Sequence, residues 1–191
     1  MPAQSRSQHL IVGAGLAGCL LAWRLHRLGA PIRLIGSATL PSAYRVAAGV
    51  INPVTGRWMT KSWNFDALLP IAETTYREIE SALGIKVFHS IPEVRFCQNA
   101  DDVKRLGRRL RNTRYKNVLG KYLAPGEASP LFRDIHGAFE IVSAAYVDLP
   151  ELVDALRHYF MRERLYEEAT FRYEALRNRD GFWNYRGIKA A

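Results

Sequence analysis

Gly13-Ala14-Gly15-Leu16-Ala17-Gly18 follows directly on the apolar run Leu10-Ile11-Val12, and the reading of this stretch decides the fold. A buried strand, a glycine-rich turn and a helix, in that order, form the phosphate-binding start of a dinucleotide-binding βαβ unit. Each glycine has a separate task. Gly13 permits the tight turn, Gly15 lets the backbone approach phosphate oxygens, and Gly18 lets the helix pack close to the strand. The helix N-terminus then presents free N–H groups and the positive end of its dipole to the anion. Leu21, Leu25 and Leu28 continue at helical spacing, Ala17 and Ala22 are small enough for close packing, and Gly29 marks the stop. Ile32-Arg33-Leu34-Ile35 reads as the second strand. The bare glycine pattern is unspecific, and the strand before it and the helix after it give it weight. The bland alternative is a βαβ unit that binds nothing.

The 191 residues suffice for one large domain or two small ones, and 48% apolar content allows a real core. Two cysteines, Cys19 and Cys97, make no disulfide framework, and Cys19 reads as a small core residue of the first helix. The five histidines are scattered without metal-ligand spacing. The apolar stretch from Leu10 to Trp23 carries three glycines and stops at Arg24. It falls short of the roughly 20 residues a bilayer span needs, and it has no cleavage-site pattern. A cytoplasmic protein without membrane attachment is the expectation. Formal charge is +9, and no Asp or Glu precedes Asp66, while Arg6, Arg24, Arg27, Arg33, Arg45, Arg57 and Lys61 do. That positive field suits a pyrophosphate, although a solvated basic surface explains most of these side chains.

Further along, residues 37 to 62 read as a long connection punctuated by Pro41, Gly49, Pro53 and Gly56. A helix is expected over 64–84, ended by Gly84, then strands over Ile85–His89 and Val94–Cys97. Asp101–Arg114 reads as a basic helix. Its run from Lys104 to Lys116 holds no acid. The absence of interleaved aromatics apart from Tyr115 favours a solvated face over a nucleic-acid partner. A hairpin is expected in which Gly137 turns between Phe132-Arg133-Asp134-Ile135 and Phe139-Glu140-Ile141-Val142. Leu152, Leu156 and Phe160 place a helix over Leu149–Arg164, and Thr170–Tyr173 and Phe182–Tyr185 are short strand candidates. The order implies an α/β chain: a Rossmann-like nucleotide-binding part over 1–62, interrupted by a mixed α+β substrate-type part over 63–160 with antiparallel strands. Residues 161–191 then return towards the nucleotide part.

A second informative segment is Ala47-Ala48-Gly49-Val50-Ile51-Asn52-Pro53. Its small residues leave room for something flat against the backbone, or pack as a tight loop on the helix. Together with Gly13-Ala14-Gly15-Leu16-Ala17-Gly18 it resembles the N-terminal half of the FAD-dependent oxidoreductases of the D-amino-acid-oxidase-like family, glycine and sarcosine oxidases among them. The resemblance is specific over residues 9 to 58 and follows element order elsewhere. It implies that Gly13, Ala14, Gly15, Leu16, Ala17 and Gly18 hold the FAD pyrophosphate. Tyr44 and Arg45 would run along the pyrophosphate and ribityl chain, and Ala48, Gly49 and Val50 would lie beside the isoalloxazine. Phe171 would sit on a strand returning to the adenine. The implied reaction is oxidation of a small amine or amino acid, with hydride passing to the flavin. No side chain is assigned a catalytic role.

Two departures stand out. The acid that dinucleotide binders carry at the end of the second strand is replaced by Gly36-Ser37. Ser37 is then the expected ribose partner, with binding weakened by roughly 1.5–3 kcal/mol for the lost charge-assisted bond. Restoring an acid with Gly36→Glu is expected to tighten binding. The same Gly-Ser keeps an NADP-dependent dehydrogenase open as the second enzyme reading, and a non-catalytic nucleotide-binding fragment as the non-enzyme one. The other departure is length: family members are about twice as long. The expectation is an N-terminal fragment or truncated frame that self-associates or relies on a complementary C-terminal half.

Overall fold

In the computed structural model, residues 8–37, 41–179 and 181–190 are described. The elements in chain order are β1 (His9–Val12), α1 (Leu16–Arg27), β2 (Ile32–Gly36), β3 (Val50–Ile51), β4 (Val54–Thr55), β5 (Thr60–Lys61), α2 (Phe65–Leu83), β6 (Phe88–Ser90) and β7 (Glu93–Phe96). They continue with α3 (Ala100–Leu110), β8 (Leu119–Leu123), β9 (Ala138–Ile141), β10 (Ala145–Val147), α4 (Leu149–Arg162), β11 (Tyr166–Glu168), β12 (Leu176–Arg179), β13 (Phe182–Tyr185) and β14 (Ile188–Ala190). Contacts divide the chain into two compact units: Met1–Ala47 with Leu149–Ala191, and Ala48–Asp148. The first unit is thus interrupted by the second, and the chain changes units at 47/48 and 148/149 rather than at the expected 62/63 and 160/161.

The first unit is built on a parallel sheet of order β1-β2-β11. β1 and β2 pair from His9↔Ile32 to Val12↔Ile35, with α1 as the crossover between them. β2 is central and apolar except at half-buried Arg33 because it is covered on both sides: Ile32, Leu34 and Ile35 are all buried. α1 buries Cys19, Ala22 and Trp23, an i, i+3, i+4 stripe, whereas Leu21 and Leu28 are exposed. The small residues therefore mark the packed face of α1, while Leu21 is exposed and Leu25 only half-buried. α4 answers with Leu149, Leu152, Val153, Leu156 and Phe160. Trp23 meets Tyr159 edge-on at 5.3 Å, and the Tyr159 hydroxyl lies 2.9 Å from His26 Nε2. Burying one such aromatic contributes about 1.5–3 kcal/mol. β12, β13 and β14 form an antiparallel sheet, and Gln8 bridges Ala190 in parallel fashion beside β1.

One expectation is corrected here. Thr170–Tyr173 forms no strand. The return strand is β11, which pairs parallel with β2 through Tyr166↔Leu34, Glu167↔Ile35 and Glu168↔Gly36. Two adjacent glutamates argue against a strand on propensity alone, and pairing with a buried neighbour overrides that.

The second unit carries two three-stranded antiparallel sheets, β3-β10-β6 and β7-β9-β8, a short β4-β5 hairpin, and helices α2 and α3. Its core gathers Val54, Met59, Phe65, Cys97, Leu106, Tyr115, Phe139 and Ile141. α2 ends as expected at Gly84, whose φ of +69° suits glycine. The basic helix stops at Leu110, short of the expected Arg114. Two of its arginines turn onto the unit's own backbone, Arg105 donating to Arg57 O and Arg109 to Trp58 O. The expected hairpin is also corrected: Phe132–Ile135 forms no strand, and Phe132 and Ile135 are exposed. β9 pairs instead with β7 and with β8, which the residues Gly120 and Lys121 conceal in sequence. A Cβ at Gly120 would lie 2.8 Å from Glu140 Cβ, so the strand needs its glycine to lie flat on β9.

Candidate functional site

The turn between β1 and α1 is built as the glycine pattern requires. Gly13 takes φ +103°, closed to most side chains, and donates its N–H to Ile35 O at 2.7 Å. Helical bonding starts with Cys19 N–H to Gly15 O at 2.9 Å, so the N–H groups of Leu16, Ala17 and Gly18 precede the first intrahelical bond. A Cβ on Gly18 would lie 1.8 Å from Gly13 O, which makes glycine obligatory where the helix meets the turn. Gly15 is the opposite case. A Cβ there would meet no heavy atom within 4 Å. The space in front of Gly15 is open, and α1 carries no acid in its first turn. Open backbone, unspent N–H groups and the positive helix end form a cradle that fits a pyrophosphate and that a side chain would fill.

Beneath this cradle lies a chain of polar contacts. Buried Arg157 of α4 donates from Nε to Ala14 O at 2.7 Å and from Nη1 to the Tyr44 hydroxyl at 3.1 Å. Tyr44 in turn donates to Asp154 Oδ1 at 3.1 Å, and Arg45 lies 3.5 Å from the same oxygen. The Tyr166 hydroxyl donates to Gly36 O at 3.0 Å. Cys19 Sγ lies 3.5 Å from Ala14 O, and burial pushes its thiol up to about 11 against the pull of Arg157. Burial likewise raises the Tyr44 and Tyr166 hydroxyls, again against Arg157. The guanidinium holds the turn's carbonyl in place and sets a positive charge behind the anion cradle.

The structure brings Gly13, Ala14, Gly15, Leu16, Ala17 and Gly18 together with Ser37, Tyr44 and Arg45 in the first unit. Tyr44 is buried and its hydroxyl is occupied by Asp154 and Arg157. Phe171 lies off any strand, between β11 and β12, stacked on Tyr185 at 4.5 Å. It faces a cavity of about 340 Å³ lined also by Leu21, Leu25, Leu176 and Trp183. Ala48, Gly49 and Val50 belong to the second unit. There Gly49 takes φ +67° and accepts from Val147 N–H at 3.0 Å, and Val50 pairs with Tyr146 while leaving its side chain exposed. Among the described residues no group of His, Cys, Asp and Glu is arranged to hold a metal ion, and no helix is long and apolar enough to cross a membrane.

Arg157, Asp154 and Tyr166 were not singled out in the sequence. Arg157 is one residue after Leu156 and four after Val153, so it falls within the apolar stripe of α4. A charged residue in such a stripe is the signal that finds it.

A protein-family model described as FAD dependent oxidoreductase matches residues 8–181. Among solved structures, iminodiacetate oxidase from Chelativorans sp. BNC1 is 23% identical with a TM-score of 0.68, covering 92% of this chain and 50% of that one. Glycine oxidase from Geobacillus kaustophilus is 18% identical with a TM-score of 0.75, covering 96% of this chain and 52% of that one. L-alpha-glycerophosphate oxidase from Mycoplasma pneumoniae, solved with FAD bound, is 15% identical with a TM-score of 0.58, covering 92% and 48%. This chain therefore spans about half the length of these proteins. No curated protein sequence matches it.

Proposed function

The chain belongs to the FAD dependent oxidoreductase family, and on that premise we propose that its first unit binds FAD, with the pyrophosphate on the turn Gly13–Gly18. The observation that carries the reading is the open backbone at Gly15, in front of a helix N-terminus where Gly13 is held at φ +103° and Gly18 is pressed against the Gly13 carbonyl. Leu16, Ala17 and Gly18 N–H groups bond the phosphate oxygens, Arg157 fixes the Ala14 carbonyl behind them, and Ser37 and Phe171 serve the adenosine end. Tyr44 and Arg45 flank the pyrophosphate and ribityl chain. Ala48, Gly49 and Val50 present the small surface against which the flavin ring lies. This Rossmann-like arrangement gives orientation, and the flavin, when bound, supplies the hydride-accepting chemistry.

The substrate class we assign to the whole protein is a small amine or amino acid. It loses a hydride from the carbon next to nitrogen and a proton from the nitrogen. Two free, buried cysteines support a reducing, cytoplasmic location. Titration of the purified chain with FAD, followed by quenching of flavin fluorescence, tests the proposal, with NADPH titrated separately. Saturable FAD binding is expected. Binding of NADPH without FAD would establish the nicotinamide reading instead, which the missing acid on β2 keeps in view.

A further inference from the structure

The acid absent from the end of β2 has a neighbour. Gly36 occupies the position from which a dinucleotide binder usually reaches the adenosine ribose. It is closed to any side chain, because a Cβ there would lie 2.6 Å from both the nitrogen and the Cβ of Ala14. Directly across from it in register is Glu168 on β11, and Ala169 N–H bonds Gly36 O at 2.9 Å. In a parallel pair, register partners project to the same face about 4.8 Å apart. Glu168 is exposed, and among the described residues no hydrogen bond or ion pair engages its carboxylate, whereas Glu167 lies 3.8 Å from Arg186. β11 and β2 end together, on the side of the sheet where the turn Gly13–Gly18 leaves β1.

We propose that Glu168 supplies the ribose-binding carboxylate from the neighbouring strand, accepting from the adenosine 2′- and 3′-hydroxyls in place of an acid at position 36. The inference rests on the FAD-binding reading and deepens it. It gives the site a preference for a free 2′-hydroxyl, because a carboxylate there repels a 2′-phosphate.

The test is a set of dissociation constants for FAD, ADP and 2′-deoxy-ADP, measured on the whole chain and on its Glu168→Gln and Glu167→Gln variants, with thermal midpoints as the control for folding. Glu168→Gln is expected to weaken FAD and ADP about tenfold or more, the loss of a charge-assisted hydrogen bond. It should weaken 2′-deoxy-ADP distinctly less, and Glu167→Gln should leave all three within about twofold. Unchanged FAD and ADP affinity in a folded Glu168→Gln chain overturns the inference and leaves FAD binding standing. An equal loss for ADP and 2′-deoxy-ADP also overturns it, since the carboxylate then acts away from the 2′-hydroxyl. A parent chain that binds neither FAD nor ADP removes the underlying reading itself, and this inference with it.

Discussion

Single atoms decide how the glycines of the turn differ. Gly15 faces open space, Gly18 faces the Gly13 carbonyl, and Gly36 faces Ala14. The sequence argument for Gly36→Glu is therefore reversed by packing: the new side chain drives into the turn it was meant to assist. Even Gly36→Ala is predicted to cost about 1–3 kcal/mol, read as a lower denaturant midpoint, and to weaken FAD. Cys19 yields a second prediction. Burial pushes its thiol up to about 11 in the fold from the ordinary 9.0, so above pH 9.0 the unfolded chain ionises first. Its stabilisation is complete below pH 9.0 and is lost as pH rises to about 11, a change of roughly 3 kcal/mol. Cys19→Ala should flatten this alkaline decline in chemical denaturation. The raised tyrosines Tyr44 and Tyr166 decline in the same direction and remain in the variant.

Whole elements were legible where local signals agreed and hidden where pairing overrode them. β1, α1 and β2 each carried consistent apolar patterning with glycine stops, and they form as read. β11 was concealed by Glu167 and Glu168, and β8 by Gly120 and Lys121. Their strand character comes from the neighbours they pair with, which a linear pattern does not contain. Arg157 was hidden for a related reason, because its partners Ala14 O and Tyr44 lie more than a hundred residues away. The link between α2 and β6 makes a prediction at this level. Glu80 Oε1 accepts from both Val87 and Phe88 N–H at 2.8 Å, and Oε2 accepts from Arg77 at 2.8 Å. Burial alone would raise its carboxyl, yet the N–H of Phe88, Arg77 and the N–H of Val87 together lower it below 4.5. The contribution is present above pH 4.5 and is lost as pH falls through the lowered value. Glu80→Gln should cost roughly 1.5–3 kcal/mol at neutral pH and progressively less in acid, checked by denaturation at both.

Across the whole molecule the division into units follows long-range contacts that the sequence marks only faintly. The change at Ala47–Ala48 falls inside a run of small residues with no proline or charge to announce it, and α4 joins the first unit through Trp23, His26 and Ala14. The glycine turn, by contrast, was readable because every feature it needs is local. Its function is also the most exposed to test. Gly15→Val places its Cβ where no heavy atom lies within 4 Å, so the fold should stand while the side chain fills the anion cradle. FAD titration of the parent chain and of Gly15→Val, each with its thermal midpoint, is the direct measurement. Saturable binding by the parent, at least tenfold weaker in a variant that melts within a few degrees of it, is the predicted result. Equal FAD affinity in a folded Gly15→Val chain would contradict it.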